Sequence, residues 1–498
     1  MTHDPANASS GDRREEYALT RRAFGRWLVA LLAVHALLVA PGLIAHFAAP
    51  ERVIRLGRED TRVVPPEWRD ADGYHLPVID TMREQWPAID IVHYDSATAP
   101  GYHAFMSTVA IVLGGRAGNV DAALWVVNAL VGLGCIAVVF VTTARFARPP
   151  TAFLLTLPIA CCSYVVAAST WLTTDNAAML FVVLALGGAL CARLTAWRGV
   201  RTGVYGAAAV AIRQNCAWLA APIGLTAVLH SPLQRMAPRA YRGRGHVATW
   251  RPFIGGAIGA LMPLGVAAFL IVQWGGLLPK SSDGWSEYHN LGPNLATPTY
   301  AIALVACFGV FFVAIAWREI VELRSAPKAP LVFGMIAFVA AIAVPTASTR
   351  STEAWGSAEW RMRNYGILWR VVDELPAVAH RSVLIAVLAP MGAIMLLALY
   401  RAARRAQRGP QALVLLTGLS GWLAAQTMNS MAWQRYFEPI TLLTLAWLCA
   451  MAWGPAWVSA SAMRRRVMVG GPIVLALGLI GITVLKAHVP SFAYLASL

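Results

Sequence analysis

The stretch GVYGAAAVAIRQNCAWLAAPIGLTAV, residues 203–228, is apolar on either side of one polar cluster, Arg213-Gln214-Asn215. Its length suits a single membrane-spanning helix, for which about 20 apolar residues suffice. The charges beyond it oppose that reading. Residues 229–251 carry Arg235, Arg239, Arg242, Arg244 and Arg251, and short basic loops lie on the cytoplasmic side of a membrane. A single span from 203 would deliver them to the other side. Two short helices broken at the polar triplet, meeting near the far face, return the chain to the cytoplasm.

The same rule threads the remainder. Arg13, Arg14, Arg21, Arg22 and Arg26 precede the first apolar run and place the N-terminus in the cytoplasm. That run is too long for a signal-peptide core, so no cleavage is expected. Candidate spans lie near 27–49, 121–143, 151–169, 174–194, 252–274, 299–317, 330–348, 382–400, 412–432, 438–453 and 468–486. With the broken pair counted as two, the expectation is an all-α polytopic membrane protein of about thirteen helices. The basic residues of 144–150, 194–202, 318–329, 401–411 and 454–467 then all fall inside. By this count about 25 of the 41 Lys and Arg are cytoplasmic.

This threading divides the chain into a cytoplasmic tail (1–26), a transmembrane module (27–228) with an extracytoplasmic loop at 50–120, a cytoplasmic basic loop (229–251) and a second module (252–498). The second module carries outer loops at 275–298 (Lys280, Asp283, Glu287, His289) and 349–381, the latter with Arg350, Glu353, Glu359, Arg361, Arg363, Arg370 and Asp373. The 349–381 loop, with tryptophans at helical spacing, is expected to lie along the membrane surface. Within 50–120, the apolar run 102–114 is too short to span and reads as an interfacial or re-entrant helix.

Composition agrees. Of 498 residues 58% are hydrophobic and only 13% charged, about half the charge of a soluble protein. The net charge of +16 resembles a nucleic-acid signal, but its placement in short loops is a topology signal, and no nucleic-acid partner is expected. All seven cysteines fall in apolar segments and read as small buried hydrophobes, without a disulfide framework.

Five constellations carry chemistry, and the threading puts all of them on the outer side. Asp70-Ala71-Asp72-Gly73-Tyr74-His75 offers two carboxylates that can take a proton or hold a divalent cation such as Mg or Mn; alone it is also an ordinary acidic turn. Ser96 to His103, beside Asp95, holds a Pro100-Gly101 turn that opens the apolar helix. In Thr173-Thr174-Asp175-Asn176, Asp175 caps a span through the macrodipole or sits at the mouth of a site. Arg213 is either paired with an acid such as Asp175 or set to hold a phosphate by bidentate bonds. Gln434-Arg435-Tyr436-Phe437-Glu438 is an interfacial anchor or a second anion contact. Together they suit a substrate with a lipid tail, a phosphate and a polar head.

The order of these elements resembles the lipid-phosphate-sugar-dependent glycosyltransferases of the GT-C superfamily. Within it the chain is most similar to the eukaryotic dolichyl-phosphate-glucose alpha-1,2-glucosyltransferase. Asp72-Gly73-Tyr74-His75-Leu76-Pro77 matches that family's acidic-aromatic-His-x-Pro string, and Thr98-Ala99-Pro100-Gly101-Tyr102 its Thr-x-Pro-Gly-x-Tyr. Thr174-Asp175 matches its Thr-Asp, and Arg213-Gln214-Asn215-Cys216-Ala217-Trp218 its Arg-Gln-Thr-Asn-x-x-Trp, one residue short. Arg435-Tyr436 echoes its late Arg-x-Tyr, and its paired Asp-Glu is Ala71-Asp72 in direct register.

The resemblance implies an inverting hexosyltransferase that moves a sugar, glucose in the matched family, from a polyprenyl-phosphate donor to an extracytoplasmic hydroxyl. The acceptor is a glycan, a lipid or a protein. Asp72 or Asp70 would be the base. Tyr74, His75, Asp95, Tyr102, His103 and Asp175 would bind or orient the acceptor. Arg213, Gln214, Asn215, Arg435 and Tyr436 would hold the donor phosphate. No particular cofactor is implied; a divalent cation, Mg or Mn, stays an open alternative, and its ligands are unknown. The Ala- and Arg-rich composition points to a bacterial inner membrane. Broken helices with a buried arginine also suit a polyprenyl-lipid flippase or transporter, and a non-catalytic scaffold is the third reading.

Overall fold

The computed structural model of the protein describes residues 10–48, 71–115, 118, 120–233, 250–279, 292–325, 327–348 and 366–488; the side chains of 10–20, 48, 72, 487 and 488 lie outside that description. In hydrocarbon every backbone N–H and C=O must be bonded within the protein, and apolar runs of low charge accordingly form helices. α1 (Ser10–Ala48) is followed by a π-helical turn (Ala71–His75), α2 (Leu76–Gln85) and α3 (Gly101–Gly114). Next come α4 (Asp121–Thr143), α5 (Pro149–Ala160), α6 (Ser163–Thr170), α7 (Thr174–Ala189), α8 (Ala196–Ile212) and α9 (Ala220–Leu229). The second half holds α10 (Trp250–Trp274), α11 (Thr297–Gly309), α12 (Val313–Ser325), α13 (Lys328–Ala343), α14 (Ile367–Glu374), α15 (Val383–Arg405), α16 (Gly409–Thr427), α17 (Gln434–Val458) and α18 (Ala462–Thr483). A short antiparallel ladder pairs Ala377–Val378 with Arg381–Ser382.

The protein is an all-α, multi-pass membrane protein. Among the described residues seven helices are long and apolar enough to cross a membrane: Arg21–Phe47 of α1, α4, α10, the α11–α12 run, α15, α17 and α18. The bent pair α5–α6 makes an eighth, and α3, α7, α13 and Gln214–Leu229 are shorter apolar helices. The expectation of about thirteen counted α7, α13 and the broken 203–228 pair as spans, and not α3. The loop contents Lys280, Asp283, Glu287 and His289, and residues 349–365, lie outside the described residues.

The break in the 203–228 stretch is found at the polar triplet. α8 ends at Ile212, Arg213 is extended (φ −140°, ψ 111°), and a 3-10 turn over Gln214–Leu219 leads into α9. Two details differ from the expectation. α8 begins at Ala196, so Arg198 and Arg201 ride on the helix; Thr195 caps it by accepting from the Arg198 N–H. The 151–169 span is not straight. Pro158 lacks a helical N–H, the helix ends at Ala160, and α6 leaves at 71° to α5.

Buried polar side chains satisfy carbonyls freed at that bend and at the end of α6. His35 contacts Ala160 O at 2.7 Å and Ser169 Oγ at 2.9 Å. The Asn128 amide donates to Ala168 O (2.9 Å) and Trp171 O (2.8 Å). One cysteine also departs from the expectation: the Cys162 thiol donates to the buried Glu438 carboxylate at 3.2 Å, tying α6 to α17. α8 and α10 touch backbone to backbone. A Cβ added at Gly203 would lie 2.3 Å from Gly259 Cα, the small-residue packing that lets membrane helices approach closely.

Candidate active site

The helix break places Arg213 beside the N-terminus of α7. Its Nη2 pairs with Asp175 Oδ1 at 2.7 Å, and its Nε donates to Thr174 Oγ1 at 2.9 Å. Asp175 sits in the first turn of α7, where the macrodipole favours a carboxylate. The guanidinium is therefore compensated by the protein itself and needs no visiting anion to be tolerated. Its Nη1 has no protein partner among the described residues.

A second arginine approaches from α17. Arg435 lies in the first turn, its guanidinium 4.8 Å from the Trp433 ring centre and 5.1 Å from that of Tyr436, with Nη2 donating to the Tyr436 hydroxyl at 3.2 Å. The Arg213 guanidinium is 5.8 Å from the same Tyr436 ring. One aromatic ring thus steers both cations. A cation in the first turn of a helix opposes the macrodipole, which makes this end of α17 receptive to an anion.

Both arginines line a cavity of about 700 Å³. Asp175, Asn215, Gln426 and Tyr436 complete its polar wall, and Leu264, Ala267 and Ile271 of α10 with Leu277 and Leu278 form an apolar one. Tyr74, His75 and Ser96 to Thr98 form its rim. Among the described residues its charged lining side chains are those of Arg213, Arg435 and Asp175. A smaller chamber of about 100 Å³ also opens onto Arg213 and Arg435 and is lined by Thr173, Asn176 and Gln426. There Thr173 Oγ1 and Gln426 Oε1 are buried without a partner among the described residues.

Gln214 fastens the rim to the break. Its amide donates to Ala97 O (2.9 Å) and accepts from the Ala99 N–H (3.1 Å). Gly101 lies against the end of α8, so closely that an added Cβ would be 2.6 Å from Ala211 O. Tyr102 is buried and donates to Asn128 Oδ1 at 3.0 Å; burial, with Asp175 nearby, pushes its hydroxyl well above the ordinary value. Arg83 of α2 donates to the carbonyls of Gly115 (2.8 Å) and Gly118 (2.7 Å), closing the end of α3. This α2–α3 platform holds His75 Nδ1 2.9 Å from His103 Nε2. Burial, then the charges of Arg213 and Arg435, lower the His75 pKa to about 3. Burial and His75 likewise hold His103 well below its ordinary value.

Of the residues singled out in the sequence, Tyr74, His75, Asp175, Arg213, Gln214, Asn215, Arg435 and Tyr436 share the cavity. Gln214 reaches it with its amide taken up by loop backbone. Tyr102 and His103 are fully covered and do not line it, and Asp95 is exposed outside it. Asp70 and the Asp72 side chain lie outside the described residues, although the Asp72 backbone is in the turn that carries Tyr74 and His75 to the rim. Among the described residues no three His, Cys, Asp or Glu converge as cation ligands; the Asp70 and Asp72 carboxylates, expected to hold a divalent cation, lie outside them. Gln426 and Asn429 were missed; Gln426 carried a signal, an amide inside an apolar run.

No family model and no curated protein matches the sequence. Among solved structures the chain is similar to the Archaeoglobus fulgidus oligosaccharyltransferase in its apo form, with TM-score 0.44 and 14% identity over 93% of this chain and 56% of that one. The same enzyme tethered to an acceptor peptide gives 0.45 and 14%, over 93% and 55%. ArnT from Cupriavidus metallidurans, bound to undecaprenyl phosphate, gives 0.36 and 16%, over 93% and 78%. The chain spans a little over half the length of the oligosaccharyltransferase. At these TM-scores the likenesses carry no functional argument, and the chemistry of the site must supply one.

Proposed function

We propose that the protein is an inverting glycosyltransferase of GT-C type, moving a sugar from a polyprenyl-phosphate donor to an acceptor hydroxyl on the extracytoplasmic side of a bacterial inner membrane. The supporting observation is one cavity with two arginines on one wall and an apolar helix on the other, under a rim from the loop that carries Asp72. Arg213 Nη1 and Arg435 hold the donor phosphate, and the lipid tail lies along the apolar wall. Asp72 removes the acceptor proton as its oxygen attacks the anomeric carbon; the C1–O bond breaks and polyprenyl phosphate leaves. The leaving group needs its charge stabilised more than it needs a proton, and prearranged guanidinia supply that. Glucose is the first donor sugar to test, on the motif resemblance alone.

The test is Asp72→Asn, with sugar transfer from the lipid donor measured in membranes. A fall of about 100-fold or more is expected for loss of a general base; undiminished transfer removes Asp72 from the role. Movement of the lipid-linked sugar across the bilayer without turnover would favour a flippase instead.

A further inference from the structure

We propose that His103 is a positioning residue. With an anion in the cavity, it holds His75 as a neutral imidazole whose Nε2–H points into the cavity and donates to a phosphate oxygen. This rests on the reading of the cavity as a phosphate site.

The geometry leaves two arrangements. His75 Nδ1 and His103 Nε2 are 2.9 Å apart, so one carries the shared proton. His103 is wholly covered, and its Nδ1 has no partner among the described residues. If His75 were the donor, His103 Nδ1 would carry a hydrogen and leave an orphaned N–H in the interior. If His103 is the donor, its Nδ1 is a bare acceptor, and orphaned buried donors are the rarer of the two. The second arrangement puts the hydrogen of His75 on Nε2, the ring nitrogen left for the cavity that His75 lines.

The other groups around His75 set the condition. Arg213 and Arg435 lie close enough to bear on its charge, and an N–H aimed towards two cations is unfavourable in an empty cavity. A phosphate between them reverses that sign and makes the N–H a third donor. Asp175 is already paired with Arg213. The Tyr102 ring, edge-on at 6.1 Å from His75, has its hydroxyl on Asn128. Neither competes for Nε2.

The test uses the full chain in detergent, labelled with nitrogen-15 at its 11 histidines, with His75→Asn to assign the His75 signals. Probes are a short-chain isoprenyl phosphate and inorganic phosphate. With either probe bound, His75 should show a protonated Nε2 and a bare Nδ1. A response to isoprenyl phosphate alone assigns the site to a lipid headgroup, and a response to both assigns it to phosphate as such. The opposite tautomer, an imidazolium at neutral pH, or no response to either probe overturns the proposal.

His103→Leu should weaken isoprenyl phosphate binding about tenfold, whereas His103→Gln, which keeps a donor at the same place, should hold it within about threefold. Equal losses in two folded variants would also overturn it. The expected tautomer and binding without sugar transfer would refute the glycosyltransferase reading and leave this one standing. Transfer with the opposite tautomer would do the reverse.

Discussion

Two arginine–carboxylate clusters stand at opposite ends of the bundle, and they do different things. In one, Arg405 of α15 bonds Glu319 at 3.0 Å and also Glu322, while Arg318 bonds Glu322 at 3.0 Å. Glu319 lies some twenty residues along the helix that begins at Thr297, about 30 Å by helical rise. In the other, beside Gln434, which Tyr300 of that same helix contacts, Arg213 meets Asp175 and Thr174 with one amino group to spare, and Arg435 has aromatic neighbours. The first cluster sets Arg318, Arg401 and Arg405 against Glu319 and Glu322, and joins α12 to α15. The second has an open cavity of about 700 Å³ beside it. An ion pair is thus poor evidence of function by itself; one that borders a cavity is much better evidence.

The sharpest way to break this contrast is Arg213→Met. Transfer should fall about 1000-fold with the loss of a contact that stabilises the leaving phosphate. The protein should also lose about 1–3 kcal/mol, because Asp175 is left without its partner. Adding Asp175→Asn should restore the melting temperature and not the transfer. Recovery of both would make the pair structural only, like its counterpart at the other end. Arg435→Met comes next. The KM for the lipid donor should rise about 10- to 100-fold with little change in melting temperature; an unchanged KM would remove Arg435 from the donor site.

At the opposite end, Arg405→Met should cost about 1–2 kcal/mol, discounted for its partial exposure, while transfer per folded molecule stays within about twofold. A large loss of transfer there would erase the distinction. The smallest effect concerns acid. His75 and His103 have folded pKa values below their unfolded ones, so their contribution is present above about pH 6.5 and is lost as pH falls towards the folded values. Thermal melts at pH 7 and 5 should show wild type losing about 1 kcal/mol more than His75→Asn. Equal losses would mean that the pair is not held neutral by the fold.

The helix break was legible in the sequence because two signals met there: basic loops that demanded a return to the same side, and a polar triplet at the only place a return could occur. Arg213–Asp175 was legible as an alternative, since a buried arginine needs some partner. What the sequence could not give was depth. Thr98 to Tyr102 and Gln214 read as site residues, and in the fold they are the joint between loop and break, through Ala97, Ala99, Gly101 and Tyr102. Whether a polar side chain faces a cavity or a carbonyl depends on residues more than a hundred positions away, which no local pattern records. The 71° bend after Ala160 was hidden for the same reason: its freed carbonyl is answered by His35 from another helix.

The most direct measurement is an experimental structure with a polyprenyl phosphate bound. The phosphate should lie within hydrogen-bond distance of both Arg213 and Arg435, with the tail along Leu264 and Ile271 of α10. A headgroup seated at Arg405 and Glu319, or one that leaves the Arg213–Arg435 cavity empty, would contradict the assignment of this cavity as the donor site.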